Sequence, residues 1–427
     1  MKKLLLFSFS LFLCLLSNAQ TKRCYTHELM VQKENQTPGY MQRVNSIFEN
    51  AKNIAEQNRS SRSLTDSIYH VQVVFHVVYT AAAENIPDSV LINQIEILNR
   101  DYRRKNADTV QTRACFQPVA ADAGIEFYLA TTDPDGNPTT GITRTVGHPQ
   151  FAFLGFNPGS DEIKNATTGK TPWPTDRYLN IWVGNIFLGV VLGYAFPPDN
   201  APNWPAGSAN DSAHQGVVLH YAAVGSNFTA PIDPTVAGGR SAVHEIGHYF
   251  GLRHIWGDST DCVVDDGISD TPFASDASQQ ACDTTINSCV DTPVDFPDMI
   301  ENYMDYSDDR CLNIFTQEQV GVMRAMLQTS RAGVAYVTGD VSGIKNLALL
   351  DGIEVSPNPS TGIFKLTTKR KEDLNFEVYN SLGETVIASQ NFSSSVSINL
   401  SSLSAGIYFA KISSHENLVV KRLVLNR

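Results

Sequence analysis

The 427-residue sequence predicts a mixed α/β (α+β) domain, with one central helix laid on a twisted mixed sheet, followed by a small all-β sandwich. Three observations carry this reading. Val71-Gln72-Val73-Val74-Phe75-His76-Val77-Val78-Tyr79 has the β-branched density of a buried strand, and His76 within it reads as a packed side chain. Val243, Ile246 and Phe250 recur at helical spacing, so the stretch around them predicts a helix with one face in a core. From Ile353 to Arg427, short alternating strands are broken by turns at Ser360-Thr361-Gly362 and Leu382-Gly383, with no cysteine.

The other elements follow from their punctuation. Pro87-Asp88-Ser89 opens a helix that carries Leu91, Ile95, Leu98 and Tyr102 on one face. Further strands are expected over Ile125 to Ala130, Tyr178 to Val183 and Gly216 to Tyr221. Asp133-Pro134-Asp135-Gly136 and Pro172-Trp173-Pro174 mark loops. After His254 regular apolar periodicity is lost until a closing helix, Thr316 to Leu327, with Val320, Met323 and Leu327 on one side.

The first twenty residues pair two lysines with an apolar run from Leu4 to Leu16 and the small-residue exit Ser17-Asn18-Ala19, which is the pattern of a secretory signal peptide. Cys14 follows Leu13, where a lipoprotein signal needs a small residue. The expected organisation is signal peptide 1–19, pro-segment 20–60, catalytic domain 61–335, linker 336–350 (holding Val337-Thr338-Gly339-Asp340) and sandwich 351–427. The pro-segment is polar and reads as a flexible stretch. It ends in Asn58-Arg59-Ser60-Ser61-Arg62, a basic site suited to proteolytic activation. No other segment approaches membrane-spanning length, and a net charge of -12 argues against nucleic-acid binding.

His244-Glu245-Ile246-Gly247-His248-Tyr249-Phe250-Gly251-Leu252-Arg253-His254 reads H-E-x-x-H-x-x-G-x-x-H. His244 and His248 lie one helical turn apart and can share a metal ion, and Gly251 lets the chain turn back so that His254 becomes a third ligand. Three neutral imidazoles with an open fourth position describe catalytic zinc, and Glu245 can hold a water there. Asp265-Asp266-Gly267-Ile268-Ser269-Asp270-Thr271-Pro272 offers the oxygen ligands that calcium prefers. Six cysteines remain beyond the signal peptide: Cys24, Cys115, Cys262, Cys282, Cys289 and Cys311. In an exported chain they point to disulfides. Cys24 has two readings, a thiolate in the open zinc position or, by parity, a disulfide partner of Cys115.

The zinc motif followed by the methionine turn Asn302-Tyr303-Met304-Asp305-Tyr306 resembles the metzincin metallopeptidases, and more narrowly the pappalysin family. Val73 to Tyr79, Leu179-Asn180-Ile181-Trp182-Val183 and Asp270-Thr271-Pro272 add to the likeness, which spans roughly Ser63 to Ser330. It implies zinc on His244, His248 and His254, Glu245 as general base, Met304 beneath the metal, and Tyr306 steadying an oxyanion. It also implies calcium at Asp266, Thr271 and Asp276, and disulfides pairing Cys262 with Cys289 and Cys282 with Cys311. Cys24 would be a cysteine switch, leaving Cys115 unpaired. Family members often cleave before basic residues by means of an acidic pocket. In Ser307-Asp308-Asp309-Arg310-Cys311 the aspartates suit that role, while Arg310 would neutralise the pocket or reject a basic side chain.

Ser356-Pro357-Asn358-Pro359, Leu403-Ser404-Ala405-Gly406-Ile407-Tyr408 and Lys421-Arg422-Leu423-Val424 resemble the C-terminal sorting domain of type IX secretion; an adhesive or carbohydrate-binding sandwich is the alternative. The expected protein is a secreted, latent zinc endopeptidase acting on proteins or peptides and exported by the type IX machinery. The competing reading is a catalytically silent surface-binding protein on a metzincin shell.

Overall fold

The computed structural model describes residues 22–60, 67–148, 162–186, 191–198, 215–279, 281–338, 353–368, 374–380, 385–413 and 418–426. The signal peptide, Ser61 and Arg62 of the basic site, Gly339-Asp340 and the Leu382-Gly383 turn lie outside these residues. Two compact units emerge, Met1–Tyr336 and Val337–Arg427.

The first unit is organised by strand β2 (Ile68–Tyr79). It pairs in parallel with β4 (Ile125–Leu129), β5 (Ile142–Val146) and β6 (Leu179–Gly184). β6 pairs in parallel with β8 (Val217–His220), and β7 (Val191–Ala195) runs antiparallel to β8. β1 (Lys22–Cys24) then adds to β7 in parallel, with Cys24 opposite Gly193. A small pair, β3 (Ala120–Ala121) and β9 (Phe315–Thr316), and a strand β10 (Ala335–Thr338) complete this unit's ladders. The expected linker therefore begins in strand at Tyr336 to Thr338. His76 is packed as anticipated, its ring bonded to Thr143 Oγ1 at 2.7 Å and Asn180 Oδ1 at 2.9 Å.

The helices are α1 (Thr26–Gln36), α2 (Tyr40–Ser60), α3 (Asp88–Tyr102), α4 (Arg240–Tyr249) and α5 (Gln317–Gln328). All ten residues of α4 are buried. Tyr102, from α3, donates its hydroxyl to Val243 O at 3.0 Å, tying the two helices together. α5 starts with a capping box, in which Thr316 and Gln319 satisfy each other's backbone N–H.

The expected flexible pro-segment is corrected here. Residues 26–60 form two helices, and Tyr40, Val44, Ile47, Phe48 and Ala51 recur every three or four positions and are all buried. That spacing makes one apolar stripe, and burying it supplies the stability a polar coil would lack. The Arg253 guanidinium lies 3.8 Å from the centre of the Phe48 ring. At the helix end, Arg59 pairs with Glu318 of α5 at 3.1 Å.

Among the described residues of 250–314 there is no helix or strand, and disulfides hold this long loop instead. Cys262 is bonded to Cys289 and Cys282 to Cys311. Cys24 and Cys115 are both free, Cys24 buried and Cys115 exposed, so the pairing suggested by parity is not formed.

The second unit stacks a three-stranded sheet, β11 (Ile353–Ser356), β12 (Ile363–Thr368) and β15 (Ser395–Asn399), with a four-stranded one, β13 (Leu374–Tyr379), β14 (Thr385–Phe392), β16 (Gly406–Ser413) and β17 (Leu418–Leu425). Phe364, Leu366, Phe376, Val378, Ile398 and Leu423 form its separate core. Among the described residues no helix is long and apolar enough to cross a membrane.

Candidate active site

α4 carries His244, Glu245 and His248. It ends where Gly251 adopts φ +89, a left-handed conformation that glycine tolerates best. There Gly251 N–H bonds His248 O at 2.8 Å and Leu252 N–H bonds Gly247 O at 2.9 Å, closing the helix. The turn returns His254 to its partners. Gly247 meets another demand: a Cβ there would lie 2.4 Å from Met304 Sδ. The methionine turn thus packs directly against the floor of the motif.

The three histidine Nε2 atoms lie 3.0 to 3.3 Å apart. Ligands about 2.0–2.1 Å from a tetrahedral zinc are separated by about 3.3 Å, so the donor set fits that ion. Each ring is turned by its other nitrogen. Nδ1 of His244 bonds Tyr303 O at 2.7 Å, that of His248 bonds Leu252 O at 2.8 Å, and that of His254 bonds Asp258 Oδ1 at 2.6 Å. If these Nδ1 atoms donate, each Nε2 lone pair is free for a metal. Burial lowers His248 to about 3 and takes His244 well below its ordinary value, favouring the neutral, ligating form.

Cys24 completes the group. Its sulfur and the three imidazoles all lie within 4.8 Å of one another, and among the described residues this is the one cluster of such donors. Cys24 Sγ donates to Glu245 Oε2 at 3.4 Å, and Thr26 Oγ1 donates to the same oxygen at 3.2 Å. Burial pushes Glu245 up to about 8. The Tyr306 hydroxyl donates to the backbone oxygen of Cys24 at 3.3 Å. Trp256 stacks on His254 at 4.4 Å and meets Tyr306 edge-on at 4.7 Å.

Sequence reasoning missed three of these contacts. Arg23 forms a buried ion pair with Asp309, a contact that neither neighbourhood announces. His27 Nδ1 lies 3.2 Å from Asp258 Oδ2. Asp258 itself had only its place four residues after His254 to mark it. Arg310, whose effect on the pocket the sequence left open, lies outside it: its side chain is 81 % exposed and folds back on Asp308 at 2.6 Å. Asp308 and Asp309 are both buried, but Asp308 is taken by Arg310 while Asp309 bonds Arg23 and the start of α4.

The calcium candidates are only partly brought together. Asp266 Oδ1 accepts from Ile268 N at 3.0 Å and Thr271 Oγ1 at 2.8 Å, while its other oxygen is buried without a partner. Asp276 is exposed, accepts from Ala277 N at 2.7 Å and lines the cleft beside Tyr306.

Comparison with known proteins places this geometry. Residues 162–328 match the profile of the pregnancy-associated plasma protein-A peptidases, the pappalysins. Extracellular metalloprotease 1 of Coccidioides posadasii is 30% identical over 293 residues, covering 67% of this chain and 87% of that protein. The chain belongs to the pappalysin family. A second relative, an extracellular metalloprotease of Arthroderma benhamiae, is 28% identical over 67% of this chain and 87% of its own. A promirolysin mutant of Tannerella forsythia matches with TM-score 0.61 at 36% identity, over 73% of this chain and 96% of that one. Mature mirolysin in complex with a cleaved peptide matches at 0.53 and 37%, over 62% and 95%. Residues 354–426 match a secretion-system C-terminal sorting domain. This pappalysin is a secreted metalloendopeptidase.

Proposed function

We propose that the chain is made as a latent zinc endopeptidase that cleaves proteins before basic residues. The observation that carries the reading is the convergence of three Nε2 atoms, 3.0 to 3.3 Å apart, beside Glu245 and Tyr306. His244, His248 and His254 hold the zinc. When bound, it supplies Lewis acidity toward the scissile carbonyl and acidifies water. Glu245 takes the proton of the attacking water and returns it to the leaving amine. The Tyr306 hydroxyl donates to the oxyanion that develops in the transition state. Met304, packed on Gly247, keeps the floor of the site rigid.

Latency comes from Cys24, whose sulfur takes the position water needs and whose neighbour Thr26 occupies Glu245. The pocket after the cleaved bond is Asp309, now filled by Arg23; a substrate arginine or lysine replaces it. Asp266 and Thr271, with Asp276, hold a calcium ion that braces the loop beyond α4; the unpartnered Asp266 oxygen supports this. The C-terminal sandwich addresses the chain to the type IX machinery, supported by the sorting-domain match, and its removal is expected to abolish export.

A silent binding protein is the weaker reading, because Glu245 and Tyr306 are both retained. A peptide-library digest with the activated, zinc-loaded protein, with Glu245→Ala as control, tests the proposal. Cleavage before arginine or lysine is expected. No cleavage of any peptide, or equal cleavage by the control, overturns it.

A further inference from the structure

The second coordination shell of the three histidines is uneven. His244 and His248 lean on backbone carbonyls, but His254 leans on a side-chain carboxylate, Asp258. A carboxylate has a second oxygen to offer. Here Oδ2 reaches out of the shell to His27 of the pro-segment, 3.2 Å away. Asp258 also sits at φ +55, a left-handed conformation unusual for a residue with a side chain. The loop holds it there at a conformational cost, which orients both oxygens at once.

Chain order gives this contact meaning. Arg23 lies on Asp309, Cys24 lies among the histidines, and His27 lies on Asp258. Two acidic positions thus flank the metal-binding cluster along the pro-segment, and each is covered by a basic residue. Lys22, the third cation nearby, pairs instead with Glu28 within the pro-segment. Asp258 and His27 also border a cavity of about 370 Å³ that reaches Trp256 and Tyr306, so a side chain longer than histidine has room to enter. When the pro-segment leaves, Asp258 Oδ2 loses its partner, His27. A partly desolvated carboxylate in that position favours a cation.

We propose that Asp258 is a second acidic subsite of the substrate cleft, tied to His254 through one oxygen and open to a basic substrate side chain through the other. This rests on the endopeptidase reading above and extends it. Asp309 selects the residue after the cleaved bond, and Asp258 selects a basic residue on the opposite side of that bond. Preferred substrates are then segments with basic residues on both sides of the cleavage point.

The test uses the activated full chain and peptides that keep arginine after the scissile bond. Each of the three positions before it is varied among lysine, arginine, histidine and alanine. At low salt, kcat/KM is expected to rise about tenfold for a basic residue at one of these positions and to fall back as salt screens the pair. Asp258→Asn should reduce that ratio to below about twofold; because the ratio is taken within one variant, loss of active enzyme cancels. The same variant should bind zinc about 10- to 100-fold more weakly in chelator competition, since the outer carboxylate is gone. No basic preference in the wild-type series overturns the subsite even where Asp258→Asn does not fold. A preference that survives in Asp258→Asn removes the assignment to Asp258, and unchanged zinc affinity removes the tie to His254. Failure of the zinc-loaded wild type to cut any peptide removes the endopeptidase reading itself.

Discussion

Arg23 and Asp309 form a solvent-sealed ion pair across 286 positions of sequence, and the same carboxylate also caps the zinc-motif helix. Asp309 Oδ1 meets the Arg23 guanidinium, while Oδ2 accepts from Gly238 N at 2.9 Å and Arg240 N at 3.2 Å, at the start of α4. Whatever fills this pocket therefore touches the element that carries His244 and Glu245.

Breaking that pair from the pro-segment side leaves the buried Asp309 carboxylate without its cationic partner, held only from the start of α4. Such a loss costs about 3–5 kcal/mol. Arg23→Ala precursor is expected to mature many-fold faster than wild type on a gel time course. Lys22→Ala, which breaks only an ion pair internal to the pro-segment, should change little. Asp309→Asn keeps an oxygen for the α4 N-terminus but loses the charge. In the activated enzyme it should lower kcat/KM for arginine-containing peptides about 100-fold relative to alanine-containing ones. Equal losses on both would assign Asp309 to structure alone.

Glu245→Ala is expected to keep one zinc per chain by elemental analysis and to lose peptidase activity by at least about 10²–10⁴-fold. The side chain is fully buried and bonds Cys24 and Thr26 rather than any of the three histidines, so its removal leaves the ligand set in place. Activity within tenfold of wild type would reject Glu245 as the base.

What was legible in the sequence was local. H-E-x-x-H-x-x-G-x-x-H declares its own geometry because the ligands lie within eleven residues of one another on a helix and its exit turn. The β2 run and the α3 and α5 helices show their faces by periodicity. Arg23–Asp309 and His27–Asp258 were illegible, since each joins segments whose meeting depends on where β1 lands on β7. The stripe Tyr40, Val44, Ile47, Phe48 and Ala51 did carry a signal of helix, masked by the polar residues between them. The role of Arg310 was left open by the sequence, since only the turn decides that Asp309 points in and Arg310 out.

The proposed calcium would brace the loop over residues 250–314, between α4 and α5, whose described residues lack regular structure and are held by two disulfides. Burial raises the Asp266 carboxyl well above its ordinary value in the absence of a cation. An ion bound there would be a native-state ligand and raise Tm as its concentration rises above Kd. A chelator too weak to take zinc should lower Tm and activity, and Asp266→Asn should remove that sensitivity. If the chelator leaves both quantities unchanged, Asp266 holds no calcium.

His27 is expected to make release of the proposed pro-segment depend on pH. Its hydrogen bond to Asp258 raises its pKa above the ordinary 6.5; burial and Lys22 oppose the rise, and the Asp258 charge adds to it. A raised pKa in the docked state means that docking gains full strength below 6.5 and loses it as pH climbs through the raised value. Wild-type precursor should therefore mature more slowly than His27→Ala at pH 6, with the two rates converging by about pH 9. A ratio of rates that stays constant across this range would show that His27 docks without its proton.

Cys24 offers the sharpest test, because its thiol is not engaged in a disulfide. The sulfur lies among the three imidazoles and Cys115 is free at the surface, so no disulfide competes for it. Bound to zinc, a thiolate would deny water the fourth position, and the precursor would stay silent until the chain is cut near Arg59 or Arg62. Cys24→Ala should then yield a precursor that cleaves peptides while still uncut, or that matures within the expression time. Cys24→Ser, with a harder and weaker ligand, should fall between it and wild type. Cobalt substitution reads the bond directly: a sulfur-to-metal charge-transfer band is expected in the wild-type precursor and absent from Cys24→Ser and from the activated enzyme. A wild-type precursor without that band, or a Cys24→Ala precursor as silent as wild type, would move latency from the thiol to the Arg23 and Phe48 anchors.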